Sequence, residues 1–267
     1  MLACASIFFF IYWLMKNLII SSVFSLILIA GCGKVNENET KNNQTSKDTG
    51  SITSDSKDSK TDSKGKEIFY MKSDVNNIAC ADCHSDGTNK SNPLTAYFSD
   101  VIGANKREST YSGKFKGSEV SANAGGATVC WKTYLKKKED MSQDQINDLN
   151  NYFESLLGSN QPQISTYETI ALPKRDKEKL KPIQTELEGL KGDVNNGKLV
   201  FDKACGFCHN PDSQIKKVPE ILEDFEGTLK SVAYNVYLGD GPMPFYPTNK
   251  LSKQDVADIT AFLLTKK

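Results

Sequence analysis

Two Cys-x-x-Cys-His pentapeptides carry the most legible chemistry in this 267-residue chain: Cys80-Ala81-Asp82-Cys83-His84 and Cys205-Gly206-Phe207-Cys208-His209. The spacing is that of covalent haem attachment. Both thiols of a motif add to the vinyl groups of the porphyrin, and the adjacent histidine comes under the iron as its proximal ligand. A redox dithiol beside a stray histidine would give the pattern once. Here it occurs twice and uses both histidines of the chain. The expected cofactors are two covalently bound haem c groups, with iron on His84 and His209.

Each iron has a second axial position, whose occupant sets potential and reactivity. Both histidines are already proximal, so the second ligands come from elsewhere. Met243 stands in Gly241-Pro242-Met243-Pro244, 34 residues after His209 and eight before Leu251. Such a rigid loop suits a distal methionine; the competing reading is a surface methionine in a Pro-rich turn. Thioether ligation would raise the potential of the second haem. The first motif has no equivalent. Met141 matches Leu251 in position and reads as packing, and Met71 precedes the motif. From His84 to Met141 there are 57 residues, against 42 from His209 to Leu251. The additional segment holds Cys130, within Gly125-Gly126-Ala127-Thr128-Val129-Cys130-Trp131. A thiolate on iron would lower the potential. A buried thiol beside Trp131 and an intermolecular disulfide are the other readings of Cys130.

The elements that must position these groups form an imperfect repeat. Gly65-Lys66-Glu67-Ile68-Phe69 opens one copy and Gly197-Lys198-Leu199-Val200-Phe201 the other, each predicting a short amphipathic helix that leads into the motif. Each copy closes alike, with Ser142 and Gln145, then Ser252 and Asp255, spaced as helix N-caps with a reciprocal partner. Ile146, Leu149, Phe153 and Leu156 recur at helical spacing, as do Val256, Ile259 and Leu263. The pattern predicts an all-α chain, with units over 65–157 and 193–267. Between them, residues 158–192 read as a linker marked by Pro162, Pro173 and Pro182, with one helix from Asp176 to Leu190. The arrangement resembles class I cytochrome c twice in tandem, a few helices wrapped around each haem.

A second resemblance is carried by Val75-Asn76-Asn77-Ile78-Ala79, the first motif and Asp86-Gly87-Thr88. This stretch is similar to the first domain of dihaem thiosulfate dehydrogenases and their SoxA-type relatives. In those domains a lone cysteine some forty-odd residues after the haem histidine ligates iron, and Cys130 stands at that position. The resemblance implies His84/Cys130 ligation and redox chemistry on small sulfur oxyanions, with Cys130 as a catalytic participant. An anionic substrate needs fixed positive charge, which the additional segment offers only as Arg107, Lys106, Lys114 and Lys116. The leading expectation is therefore an electron carrier between respiratory redox proteins. The alternative is a thiosulfate dehydrogenase or tetrathionate reductase, and a third class is a ligand sensor with one open haem.

The remaining cysteines, Cys4 and Cys32, lie in an apolar N-terminal region. Read from Met15, residues up to 31 form an export signal with a charged start, an apolar middle and small residues before the cut. Ile29-Ala30-Gly31-Cys32 resembles a bacterial lipobox, which implies lipid on Cys32. An uncleaved signal anchor is the competing reading. Residues 33–64 are too polar to bury a core, and as a flexible tether they would reach roughly 30 Å. These features predict haem groups in the periplasm, tethered to a bacterial membrane. The 33 basic and 33 acidic residues balance, which speaks against nucleic acid as a partner.

Overall fold

The computed structural model describes residues 58–88, 92–162, 168–172 and 174–267. Cys4, Cys32, the expected export signal and the expected tether up to residue 57 lie outside them. Helix α1 (Asp58–Tyr70) is followed by α2 (Cys80–Cys83), which carries the first motif. After two 3-10 turns, Pro93–Tyr97 and Ala104–Lys106, a two-residue hairpin pairs β1 (Ser109–Thr110) antiparallel with β2 (Phe115–Lys116). Helices α3 (Ser118–Ala122), α4 (Ala127–Thr133) and α5 (Gln143–Leu157) follow. Then come α6 (Lys177–Glu188), α7 (Val194–Ala204), α8 (Gly206–His209) with the second motif, α9 (Leu229–Leu238) and α10 (Lys253–Leu264). The described chain is mostly helical, as its periodicity predicts, with the hairpin as an addition.

Both predicted capping boxes form. Ser142 accepts from the Gln145 amide while Gln145 accepts from that of Ser142, and Ser252 and Asp255 do the same. Helix α1 begins seven residues ahead of Gly65, within the stretch expected to belong to the tether. Its first turns are Asp, Ser, Lys and Thr, which can extend a helix already anchored at its packed end. That end stops at Tyr70, so residues 71–79 form a loop before the first motif, whereas α7 runs directly into the second.

The repeat has a common packing geometry. Gly65 of α1 crosses α5 so tightly that a Cβ would stand 2.1 Å from the Asp148 carbonyl oxygen. Gly197 of α7 crosses α10 in the same way, with a Cβ 1.9 Å from the Asp258 carbonyl oxygen. One turn further on, Phe69 packs against Tyr152 and Phe153, and Phe201 against Phe262. Two apolar clusters result, and each borrows from the other half of the sequence. Leu94 is buried in the cluster of Phe201, Val236 and Ile259, with Tyr97 and Phe98 packed against it. Ile215 is buried in the cluster of Phe69, Trp131 and Phe153, with Phe207 and Val218 alongside. Helix α6, capped by Asp176, contributes Leu180 and Leu187 to the C-terminal cluster.

Candidate functional site

Both pentapeptides are single helical turns. His84 N–H donates to the Cys80 carbonyl at 3.0 Å, and His209 N–H to that of Cys205 at 3.0 Å. Residues three and four apart share a helix face, so each turn brings its two thiols and its histidine together. Asp82 fixes the first turn by accepting from the Ala79 amide (2.7 Å) and from Lys72 Nζ (2.6 and 2.7 Å). Lys72 also lies over the Phe207 ring of the second motif, so the two motifs abut.

Cys80, Cys83, Cys130, Cys205 and Cys208 are all free thiols. Burial, then the neighbouring thiols, pushes Cys80 and Cys205 up to about 12 and Cys83 well above its ordinary value. His84 Nδ1 lies 2.7 Å from the Ser99 carbonyl oxygen, and His209 Nδ1 lies 3.2 Å from that of Pro219. A carbonyl only accepts, so the proton sits on Nδ1 and the lone pair on Nε2, the tautomer required of an Nε2 metal ligand. Burial pushes both imidazoles below their ordinary value, which keeps them neutral.

A cavity of about 590 Å³ joins the two motifs, whose four thiols and two imidazoles all line it. Its walls include Leu94, Phe98, Phe201, Val232 and Ile259 of the C-terminal cluster and Phe153 of the other. Arg107 lines it too. One Arg107 amine donates to the Asp100 carboxylate at 2.9 Å and to the Asp100 carbonyl at 3.0 Å, while its buried Nε has no acceptor among the described residues. Free thiol pairs, Nε2-directed imidazoles, apolar walls and an orphaned cationic N–H fit a covalently held porphyrin with carboxylate side chains.

Two curated relatives extend the argument. Cytochrome c6 of Petalonia fascia is 33% identical over 82 residues, which cover 28% of this chain and 93% of that protein. Cytochrome c6 of Alaria esculenta is 27% identical over 81 residues, 28% of this chain and 92% of that protein. The chain belongs to the c-type cytochromes. Residues 192–263 of this cytochrome also match the family model described as cytochrome c oxidase, cbb3-type, subunit III. No solved structure matches significantly. Membership implies covalent haem c with its iron, electron transfer, and redox proteins as partners.

The structure brings Met243 and Cys130 to the same cavity as the motifs. Met243 sits in a tight turn in which its amide donates to the Asp240 carbonyl at 2.8 Å. Gly239, with φ +69, is pressed against this turn, where a Cβ would lie 2.8 Å from the Met243 carbonyl oxygen. Met141 is core and Met71 is exposed. Three of the four cations considered for an anion pocket have side-chain partners. Arg107 is paired with Asp100, Lys106 with Glu154, and Lys114 lies over the Phe115 ring.

Sequence reasoning passed over two residues of this cytochrome. Tyr111 Oη lies 2.8 Å from Cys130 Sγ; no spacing rule links the pair, which the hairpin brings together. Asp86 was noticed only as part of a motif. Its carboxylate accepts from Tyr70 (2.7 Å), Tyr152 (2.6 Å) and both the amide and hydroxyl of Thr88. It ties the irregular segment after His84 to both helices of the α1–α5 crossing.

Proposed function

We propose that this protein is a dihaem electron-transfer cytochrome, built from two class I-type units over 65–157 and 193–267. In this reading it is tethered by lipid on Cys32 to a bacterial membrane, with both haem groups in the periplasm. The observation that carries the dihaem reading is the shared cavity, lined by two complete sets of attachment thiols and histidines. Haem c supplies one-electron iron chemistry when bound. The chain supplies ligands, a low dielectric and orientation. Cys80 with Cys83, and Cys205 with Cys208, would hold the two porphyrins, while Ser99 and Pro219 fix the rings of His84 and His209. Met243, beside His209, would hold the second iron and favour its reduced state, and Cys130, beside His84, would hold the first and favour its oxidised state. The Met243 side would then be the preferred seat of the electron.

Intact mass and haem quantification of the mature protein test this reading. Two haem groups per chain are expected, and one after Cys80→Ala with Cys83→Ala. A single haem in the native chain would refute the dihaem reading. Lipid labelling that persists in Cys32→Ser would refute the anchor.

Cys130 at the cavity also supports a second reading, oxidation of thiosulfate. Two thiosulfates each lose one electron and join sulfur to sulfur as tetrathionate, and both electrons pass to a redox partner. The thin supply of cations, with one Arg107 amine held by Asp100 and Lys106 by Glu154, makes this the weaker reading. Turnover of thiosulfate with an artificial acceptor, lost in Cys130→Ala, would establish it; no turnover with sulfur anions leaves the carrier.

A further inference from the structure

We infer that Tyr111 is a positioning residue for the first haem, holding Cys130 sulfur in place and tempering its electron donation to iron. The inference deepens the proposed function and rests on its reading of Cys130 as a haem ligand.

The hydroxyl is aimed at the sulfur by an unusual local fold. Tyr111 and Ser112, in the turn between β1 and β2, both adopt left-handed backbone conformations, with φ 53 and 50. Side chains of this size rarely occupy that region, and here the turn swings the Tyr111 ring inward over the loop that leads into α4. Gly126 makes room for it. A Cβ at Gly126 would stand 2.3 Å from the ring, and the φ of +111 there also favours glycine. Gly125 presses in the same way on Ala104, with a Cβ 2.8 Å from the Ala104 Cβ. The Gly-Gly pair thus seats α4 close to the turn, and Cys130 lies one helical turn further along. Phe115 supports the ring edge-on at 6.0 Å.

The phenol is the donor. A sulfur bound to iron as thiolate has no proton to give, so across the 2.8 Å contact the Tyr111 hydroxyl donates and Cys130 Sγ accepts. Hydrogen bonding to a ligating sulfur is a recognised lever on potential. The bond drains negative charge from sulfur and so raises the potential that thiolate ligation would otherwise depress.

The test uses the holoprotein with both haem groups in place, comparing native protein, Tyr111→Phe and Cys130→Ala by low-temperature EPR and spectroelectrochemistry. Phenylalanine keeps the ring on Gly126 and removes only the hydroxyl. Tyr111→Phe is expected to retain a thiolate-type low-spin signal with displaced g-values. Its first-haem equilibrium should shift about tenfold toward Fe(III), about 59 mV for a one-electron couple, with the second haem unmoved. Unchanged g-values and potential in Tyr111→Phe, with the native thiolate signal present, would overturn the inference alone. A native spectrum identical to that of Cys130→Ala would overturn the underlying ligand reading as well.

Discussion

Gly65 and the Asp148 carbonyl define the crossing of α1 on α5, and Gly197 and the Asp258 carbonyl repeat it between α7 and α10. At either glycine a methyl group would occupy space already filled by backbone, within about 2 Å of the opposing oxygen. Helix axes cannot yield locally as a side-chain tip can, so the whole crossing must open.

Gly65→Ala and Gly197→Ala should each therefore cost about 2–3 kcal/mol, at the upper end of overpacking. Both glycines are helical, so the small propensity gain of alanine offsets only part of this. Thermal unfolding followed by helical circular dichroism and by haem absorbance checks the loss. A melting temperature unchanged by either variant would contradict the crossing.

Asp86 predicts an acid-sensitive component of stability. Burial alone would raise its carboxyl, but hydrogen bonds from Tyr152, Tyr70 and Thr88 outweigh burial and hold it far below the ordinary value. An unfolded aspartate titrates near about 3.9. The folded state thus binds the proton less readily than the unfolded one. The stabilisation is complete above about pH 4 and drains away as pH falls toward the folded value. Asp86→Asn should cost about 2 kcal/mol at neutral pH and flatten the acid limb of the stability curve. A parallel offset at every pH would show that the charge is immaterial.

Asp258 is the counterpart in the C-terminal cluster. It accepts from the Asp193 amide at 2.8 Å, Asn196 at 2.6 Å and Gln254 at 2.7 Å. Burial opposes its charge, the three donors prevail, and its carboxyl is also lowered. Its contribution has the same sign and falls away over the same acidic side. The double variant Asp86→Asn with Asp258→Asn should lose more acid-dependent stability than either alone.

Met243→Ala should lower the potential of one haem and leave the other in place, since among the described residues Met243 is the one thioether lining the shared cavity, and the proposal assigns it to the second motif. Potentiometric titration of the holoprotein resolves the two couples. Equal movement of both, or of neither, would remove Met243 from the second iron.

Much of the frame was legible because it depends on local rules. Ser142 and Ser252 announce their helices through the acceptor three residues on. Ile146, Leu149 and Phe153 declare a buried face by their spacing, as do Val256, Ile259 and Leu263. The pentapeptides place thiols and imidazole within one turn. What escaped was long-range. Nothing near Leu94 says that it belongs with Phe201, and nothing near Ile215 says that it belongs with Phe69. The segment that lengthens the first copy gave no strong periodicity, because it folds as short turns, a two-residue hairpin and five- and seven-residue helices. Its organisation rests on left-handed positions at Tyr111, Ser112, Gly125 and Gly126, of which only the glycines leave a trace in the sequence.

The exchange of Leu94 and Ile215 between clusters bears on how this chain could be divided. A cut in the segment between α5 and α6 falls where the linear repeat suggests a natural seam. It would nevertheless strip each fragment of an apolar plug supplied by the other, exposing Phe201 and Val236 in one and Phe69 and Trp131 in the other. Either fragment expressed alone would bear a sticky scar and prove far less soluble than the parent. The interlocking of Leu94 and Ile215 therefore means that the two halves of the described fold can be exchanged only as a pair.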